Sequence, residues 1–248
     1  MTAPSRTMIV PPTEWLRGLV FGYSGAGKSH LLCTCREVPE LLPAFIVSLD
    51  NNQATLRRML AGATDVKLAS CTTVDEAGRA LAEASSGKYR FLGLDGAKSL
   101  YDLLLAFVAP PLPVGTGVLA KLPTDWRNPT LQDRGVVLEM MLRVGRALAQ
   151  VPMHVVVTCL ADDLMDESKS GQVSVMLPGK LRRLFPGMFD LTAYLDVRRH
   201  ALKGGVKFER FLQLQPTTRV PEAKTCYGST NDILEPTLAQ LLQSMKGV

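Results

Sequence analysis

Along this chain, short apolar runs alternate with segments whose apolar residues recur every three to four positions. The runs fall at 16–21, 44–49, 66–69, 89–95 and 154–159. Runs this short, with few polar interruptions, are expected of strands buried on both faces of a parallel sheet. Helical patterns lie between them at 30–38, 53–60, 73–84 and 130–149. Thr73 and Glu76 have the spacing of a capping box, and Ala77, Ala80, Leu81 and Ala84 behind them share one face. The helix opened by Thr130 and Asp133 carries Val137, Met140, Met141, Val144 and Leu148 on one stripe. Strands that alternate with helices in this way specify right-handed crossovers, and such sheets take ligands beyond the carboxyl ends of their strands.

After Phe189 the pattern changes. Two β-like runs, 191–197 and 206–214, flank Lys203-Gly204-Gly205, which predicts a hairpin and antiparallel strands at one end of the sheet. The Pro- and Gly-rich stretch 110–129 predicts a long surface loop, and the polar stretch 162–171 a mobile one. The expected organisation is a flexible lead-in over 1–14 and a single α/β domain over 15–248. That domain carries the 110–129 insertion, a hairpin within 189–215 and a closing helix at 236–246.

Composition narrows the class. A chain of 248 residues can bury one substantial core, and 46% hydrophobic with 21% charged residues is ordinary for a globular protein. No charge-free apolar run approaches the roughly 20 residues that a membrane span needs. The first residues lack a continuous apolar region, and the five cysteines lack metal-ligand spacing, so reduced thiols in a cytoplasmic protein are expected. Net charge is +5 and unevenly placed: residues 180–224 hold ten Lys and Arg against four acids. A basic stretch of this kind suits nucleic acid or a neighbour's bound phosphates, and a solvated Lys/Arg-rich hairpin has the same composition.

The candidate chemistry centres on Gly22-Tyr23-Ser24-Gly25-Ala26-Gly27-Lys28-Ser29, an unbroken match to the phosphate-binding pattern G-x-x-x-x-G-K-[S/T]. It follows an apolar strand and precedes a helical segment, the context in which glycines let successive N–H groups turn onto phosphate oxygens. Lys28 is then expected on the β and γ phosphates of ATP and the Ser29 hydroxyl on Mg2+. Asp95, ending an apolar strand, has the position of the acid that holds the magnesium, although an Asp there also suits a helix N-cap. Asp50, ending the second strand, suits either a turn or a base that deprotonates the attacking water. Thr158, near the end of the 154–159 strand, suits a polar sensor of the γ-phosphate or a purely structural β-strand Thr.

Several stretches together resemble phage-encoded AAA-type P-loop ATPases with a RecA-like core, among them single-strand annealing recombinases of the Sak group. They are the P-loop, the Asp95 strand, His154-Val155-Val156-Val157-Thr158 and Pro178-Gly179-Lys180-Leu181 with Phe185-Pro186-Gly187-Met188-Phe189-Asp190. Leu212-Gln213-Leu214-Gln215-Pro216 and Glu235-Pro236 extend the similarity, which runs from about residue 15 to the end. The resemblance implies a RecA-like sheet, ATP and Mg2+ as cofactors, ATP hydrolysis with Asp50 as the base, self-association into a ring or filament, and single-stranded DNA as partner. Single-strand-binding protein and other replication or recombination proteins are further implied partners.

In such proteins DNA meets mobile loops, which correspond here to 162–178. That stretch carries Lys169 against Asp162, Asp163, Asp166 and Glu167, so phosphate contacts are expected from Lys169, Lys180, Arg182 and Arg183. Arg198, Arg199 and Lys203 suit either DNA or a neighbouring subunit's γ-phosphate. Two other readings stay open: an ATP-driven DNA motor, and a nucleotide-gated assembly scaffold with weak hydrolysis.

Overall fold

The computed structural model describes residues 14–50, 53–109, 129–164, 171–202, 205–227 and 231–246. Its first half is a run of strands and helices: β1 (Arg17–Gly22), α1 (Lys28–Cys33), β2 (Ala44–Ser48), α2 (Ala54–Met59), β3 (Val66–Ser70), α3 (Val74–Ala84), β4 (Phe91–Asp95), α4 (Ala97–Val108) and α5 (Leu131–Gln150). There follow β5 (His154–Asp163), β6 (Val173–Val175), α6 (Leu181–Leu184), β7 (Leu191–Leu202), β8 (Gly205–Gln213), β9 (Lys224–Thr225), β10 (Ile233–Leu234) and α7 (Leu238–Met245).

Among the described residues the strands form one sheet in the order β10-β8-β7-β1-β5-β4-β2-β3, with β6 paired to β5 and β9 to β7. Pairing from β7 through β1, β5, β4 and β2 to β3 is parallel, and β7–β8–β10 is antiparallel. This is the expected α/β architecture, a mainly parallel sheet with antiparallel strands at one edge.

Side-chain alternation along the strands divides the core in two. On β5, Val155 and Val157 face the layer of α3, α4 and α5, where Ala77, Ala80, Leu100, Leu104, Val137 and Met141 pack. Val156 faces the opposite layer with Leu31 and Leu32 of α1, Leu56 of α2 and Leu238, Leu241 and Leu242 of α7. Both faces are covered, which is why the strand sequences read as continuous apolar runs. Full burial of each such side chain contributes about 1.5–3 kcal/mol. The capping boxes expected at Thr73–Glu76 and Thr130–Asp133 are both formed.

Three expectations change. The helix expected over 30–38 begins at Lys28 and ends at Cys33, followed by a tighter turn over Thr34–Glu37. Thr34 accounts for the ending: its hydroxyl donates to the Leu31 carbonyl at 2.8 Å and accepts the Leu238 N–H at 2.9 Å, tying α1 to the start of α7. The polar stretch expected to be mobile from 162 begins inside β5, which continues to Asp163 because Ala161, Asp162 and Asp163 pair with Val175, Ser174 and Val173. Helix α4 has no counterpart among the elements expected from the sequence. The loop expected over 110–129 lies almost wholly outside the described residues, as do most of the lead-in, Lys169 and Lys203.

Candidate nucleotide-binding site

The P-loop leaves the carboxyl end of β1 between two parallel neighbours, β5 and β7. Its glycines are there for two separate reasons. Gly25 and Gly27 have φ of +81° and +102°, the left-handed region that favours glycine. Gly22 instead lacks room, since a Cβ there would sit 2.2 Å from the Leu195 carbonyl oxygen on β7. Gly27 caps α1, so the N–H groups beyond it point out of the helix start. Ser24 and Gly25 are exposed, Ala26 is buried, and Tyr23, Gly27, Lys28 and Ser29 are half-buried.

Lys28 folds over the loop, its Nζ donating to the carbonyls of Gly22 at 2.7 Å and Tyr23 at 2.8 Å. Burial holds its pKa below the usual lysine range against the opposing pull of Asp95, Cys159 and Asp50. Ser29 Oγ donates to Asp95 Oδ2 at 2.8 Å. Thr158 Oγ1, on β5 between β1 and β4, donates to Asp95 Oδ1 at 2.6 Å and accepts the Gly96 N–H at 3.0 Å. Both carboxylate oxygens of Asp95 are therefore engaged. The residue is 3% exposed, and burial pushes its pKa up against those two hydrogen bonds. The single hydroxyl proton of Thr158 is directed at Asp95, so Thr158 orients that carboxylate in this arrangement.

Asp50 follows β2, next to β4 in the sheet, and is exposed; its Oδ1 accepts from Ser99 Oγ of α4 at 3.3 Å. Its charge is felt at both Asp95 and Lys28. The structure thus gathers Lys28, Ser29, Asp95, Thr158 and Asp50 at the carboxyl ends of β1, β5, β4 and β2.

The basic candidates lie elsewhere. Lys180 and Arg183 are exposed at α6, and Arg182 beside them pairs with Asp162 at 3.6 Å. Arg198 stacks 3.7 Å from the centroid of Phe211 and pairs with Asp232 at 3.8 Å, while Arg199 is exposed on the same strand. Three residues beside the site carry no local motif in the sequence: Asp163 accepts from the Tyr23 hydroxyl, Ser99 donates to Asp50, and Arg210 of β8 lies against Gly27. Each contact joins elements far apart in the chain.

Magnesium fits this donor set. A buried carboxylate and a hydroxyl 2.8 Å apart are hard oxygen ligands beside a phosphate cradle, and Ser29 and Asp95 would hold the ion. Among the described residues no group of three or more His, Cys, Asp or Glu forms a metal cage, so the nucleotide's phosphates would complete the coordination.

The fold and this constellation are those of a P-loop NTPase fold. Residues 14–226 match the AAA domain family, and the chain belongs to that family. Among solved structures the chain is similar to a KaiC-like protein from the hyperthermophilic archaeon Pyrococcus horikoshii, at 14% identity and TM-score 0.48 over 88% of this chain and 83% of that one. It is also similar to the RadB recombinase, at 12% identity and TM-score 0.49 over 88% and 84%. No curated protein matches the sequence significantly.

Proposed function

We propose that this chain is a RecA-like ATPase that binds ATP with Mg2+ at the P-loop and acts as an oligomer on single-stranded DNA, in recombination or strand annealing. The observation that carries the nucleotide reading is that Ser29 and Thr158 both donate to Asp95 while Lys28, one residue before Ser29, folds over the loop's own carbonyls. Lys28 already sits over the loop and can exchange its two carbonyl partners for phosphate oxygens. Asp95 is held by two hydroxyls in an orientation that a bound cation can use without rearrangement of the sheet. When bound, Mg2+ supplies charge neutralisation at the phosphates. Asp50, exposed at the mouth of the site, accepts the proton of the attacking water.

The DNA reading is supported by the basic stretch over 180–224 and by exposed Lys180, Arg183 and Arg199. Two measurements test the proposal. Fluorescence anisotropy of a labelled single-stranded oligonucleotide, with and without ATP and Mg2+ at two salt concentrations, should give ATP-dependent binding that weakens with salt. Binding absent at both salts would remove DNA from the account. Asp50→Asn should retain ATP binding and lose turnover by about 10²–10⁴-fold; normal hydrolysis in that variant would take Asp50 out of the catalytic role.

A further inference from the structure

Arg210 reaches the P-loop from the side opposite the catalytic acids. A Cβ built on Gly27 would lie 2.8 Å from Arg210 Nε and 3.0 Å from its Cδ, so the arm of this side chain rests on the loop just ahead of Lys28. Glu235 holds it there. Glu235 Oε2 takes Arg210 Nη1 at 3.2 Å, its Oε1 takes the Arg210 N–H at 2.9 Å, and its own N–H donates to the Arg210 carbonyl at 2.9 Å. Glu235 has a φ of +42°, and among the described residues no other non-glycine takes a positive φ. A non-glycine residue in that conformation persists where its surroundings over-determine it, and such positions cluster at ligand clamps. Of the five guanidinium N–H groups, one is taken by Glu235, and Nε and Nη2 have no partner among the described residues.

Sheet order fixes which end of a nucleotide Arg210 can meet. Asp95 and Asp50 follow β4 and β2, on one side of β1, while Arg210 is on β8, two strands away on the other side. A triphosphate whose γ end faces the acids and Ser29 must run its α-phosphate and ribose toward β7 and β8.

We infer that Arg210, braced by Glu235, binds the α-phosphate end of the nucleotide held by its own subunit's P-loop. This rests on the ATP-binding reading above. A guanidinium with unpaired donors beside an ester phosphate makes a charge-assisted contact that ATP and ADP share, so Arg210 acts on affinity for both and does not sense the γ-phosphate.

The test is calorimetric titration of ATP and of ADP, each with Mg2+, into the full chain and its variants. Wild type failing to bind either nucleotide would remove the ATP-binding reading itself. With wild type binding, Arg210→Ala should weaken ATP and ADP by a similar factor of about ten- to a hundredfold. Arg210→Lys keeps the stem on Gly27 and one positive charge; it should lose less, and it serves as the readout if the alanine variant unfolds. Glu235→Gln removes the charged brace that holds the guanidinium at the loop and should weaken ATP and ADP alike, by less than Arg210→Ala does. Unchanged affinity in both Arg210 variants would overturn the inference, and so would a loss confined to ATP, which would put Arg210 at the γ-phosphate.

Discussion

Ser29 donates its hydroxyl proton to Asp95 at 2.8 Å, so the two residues expected to share a cation are already in hydrogen-bond contact across α1 and β4. Thr158 holds the other oxygen of the same carboxylate at 2.6 Å. The carboxylate is thus preorganised at the cost of burying a charge, and burial pushes its pKa up. Asp95 is protonated in both folded and unfolded chains below the ordinary aspartate value. As pH rises through its higher folded value, the folded state must ionise a buried group and loses stability relative to the unfolded chain.

Asp95→Asn should therefore stabilise the nucleotide-free protein, by about 1–3 kcal/mol at neutral pH. The amide keeps an acceptor for Thr158 and a donor for Ser29. Thermal unfolding of the two proteins from acid to neutral pH checks this: the midpoints should nearly coincide in acid and separate as pH rises, by about 2–4 °C for each 1 kcal/mol. A gap that shrinks with rising pH would contradict the assignment of burial as the cause.

Thr158→Val should remove a donor from Asp95 and an acceptor from the Gly96 N–H without changing the side chain's shape. The expected cost is about 1–3 kcal/mol of stability. Turnover should fall while ATP affinity stays close to wild type, because Thr158 acts through the carboxylate. Thr158→Ser restores the hydroxyl and should recover both. Steady-state hydrolysis with parallel nucleotide titration separates the outcomes; a loss of affinity equal to the loss of turnover would place Thr158 on the nucleotide itself.

Gly22 and Gly25 should respond differently to alanine. At Gly22 the new Cβ meets the Leu195 carbonyl at 2.2 Å, a backbone atom of β7 that cannot step aside, and the cost should be about 3 kcal/mol or more. At Gly25 nothing lies within 4 Å, and only the left-handed φ of +81° opposes the change, which should cost about 1–2 kcal/mol. Urea unfolding of both variants gives the ranking directly.

Most of the sheet was legible because its strands are buried on both faces, and burial leaves an apolar run that needs no partner to be recognised. The positions of the P-loop and of Asp95 were legible for a related reason: each is marked by a local pattern or a strand end. What stayed hidden is non-local or lacks punctuation. Helix α4 is capped by Gly96, which has no side chain to signal a start, and the apolar residues flanking its buried stripe of Ala97, Leu100, Tyr101 and Leu104 blur that stripe in the sequence. The early end of α1 depends on Thr34 meeting Leu238, a contact across 204 residues. Arg210 sits in a hairpin whose basic residues look alike in sequence. Only the pairing of β8 with β7, and of β7 with β1, brings Arg210 rather than Arg198 or Arg199 to the loop.

The central claim is that this loop is a phosphate cradle, and Lys28→Ala tests it most directly. Calorimetric titration of ATP with Mg2+ into wild type and variant, with a circular-dichroism spectrum of each, should show tight binding lost in a protein whose fold is unchanged. Equal ATP affinity in the two proteins would contradict the account, because Lys28 is the cation that the loop holds at its centre.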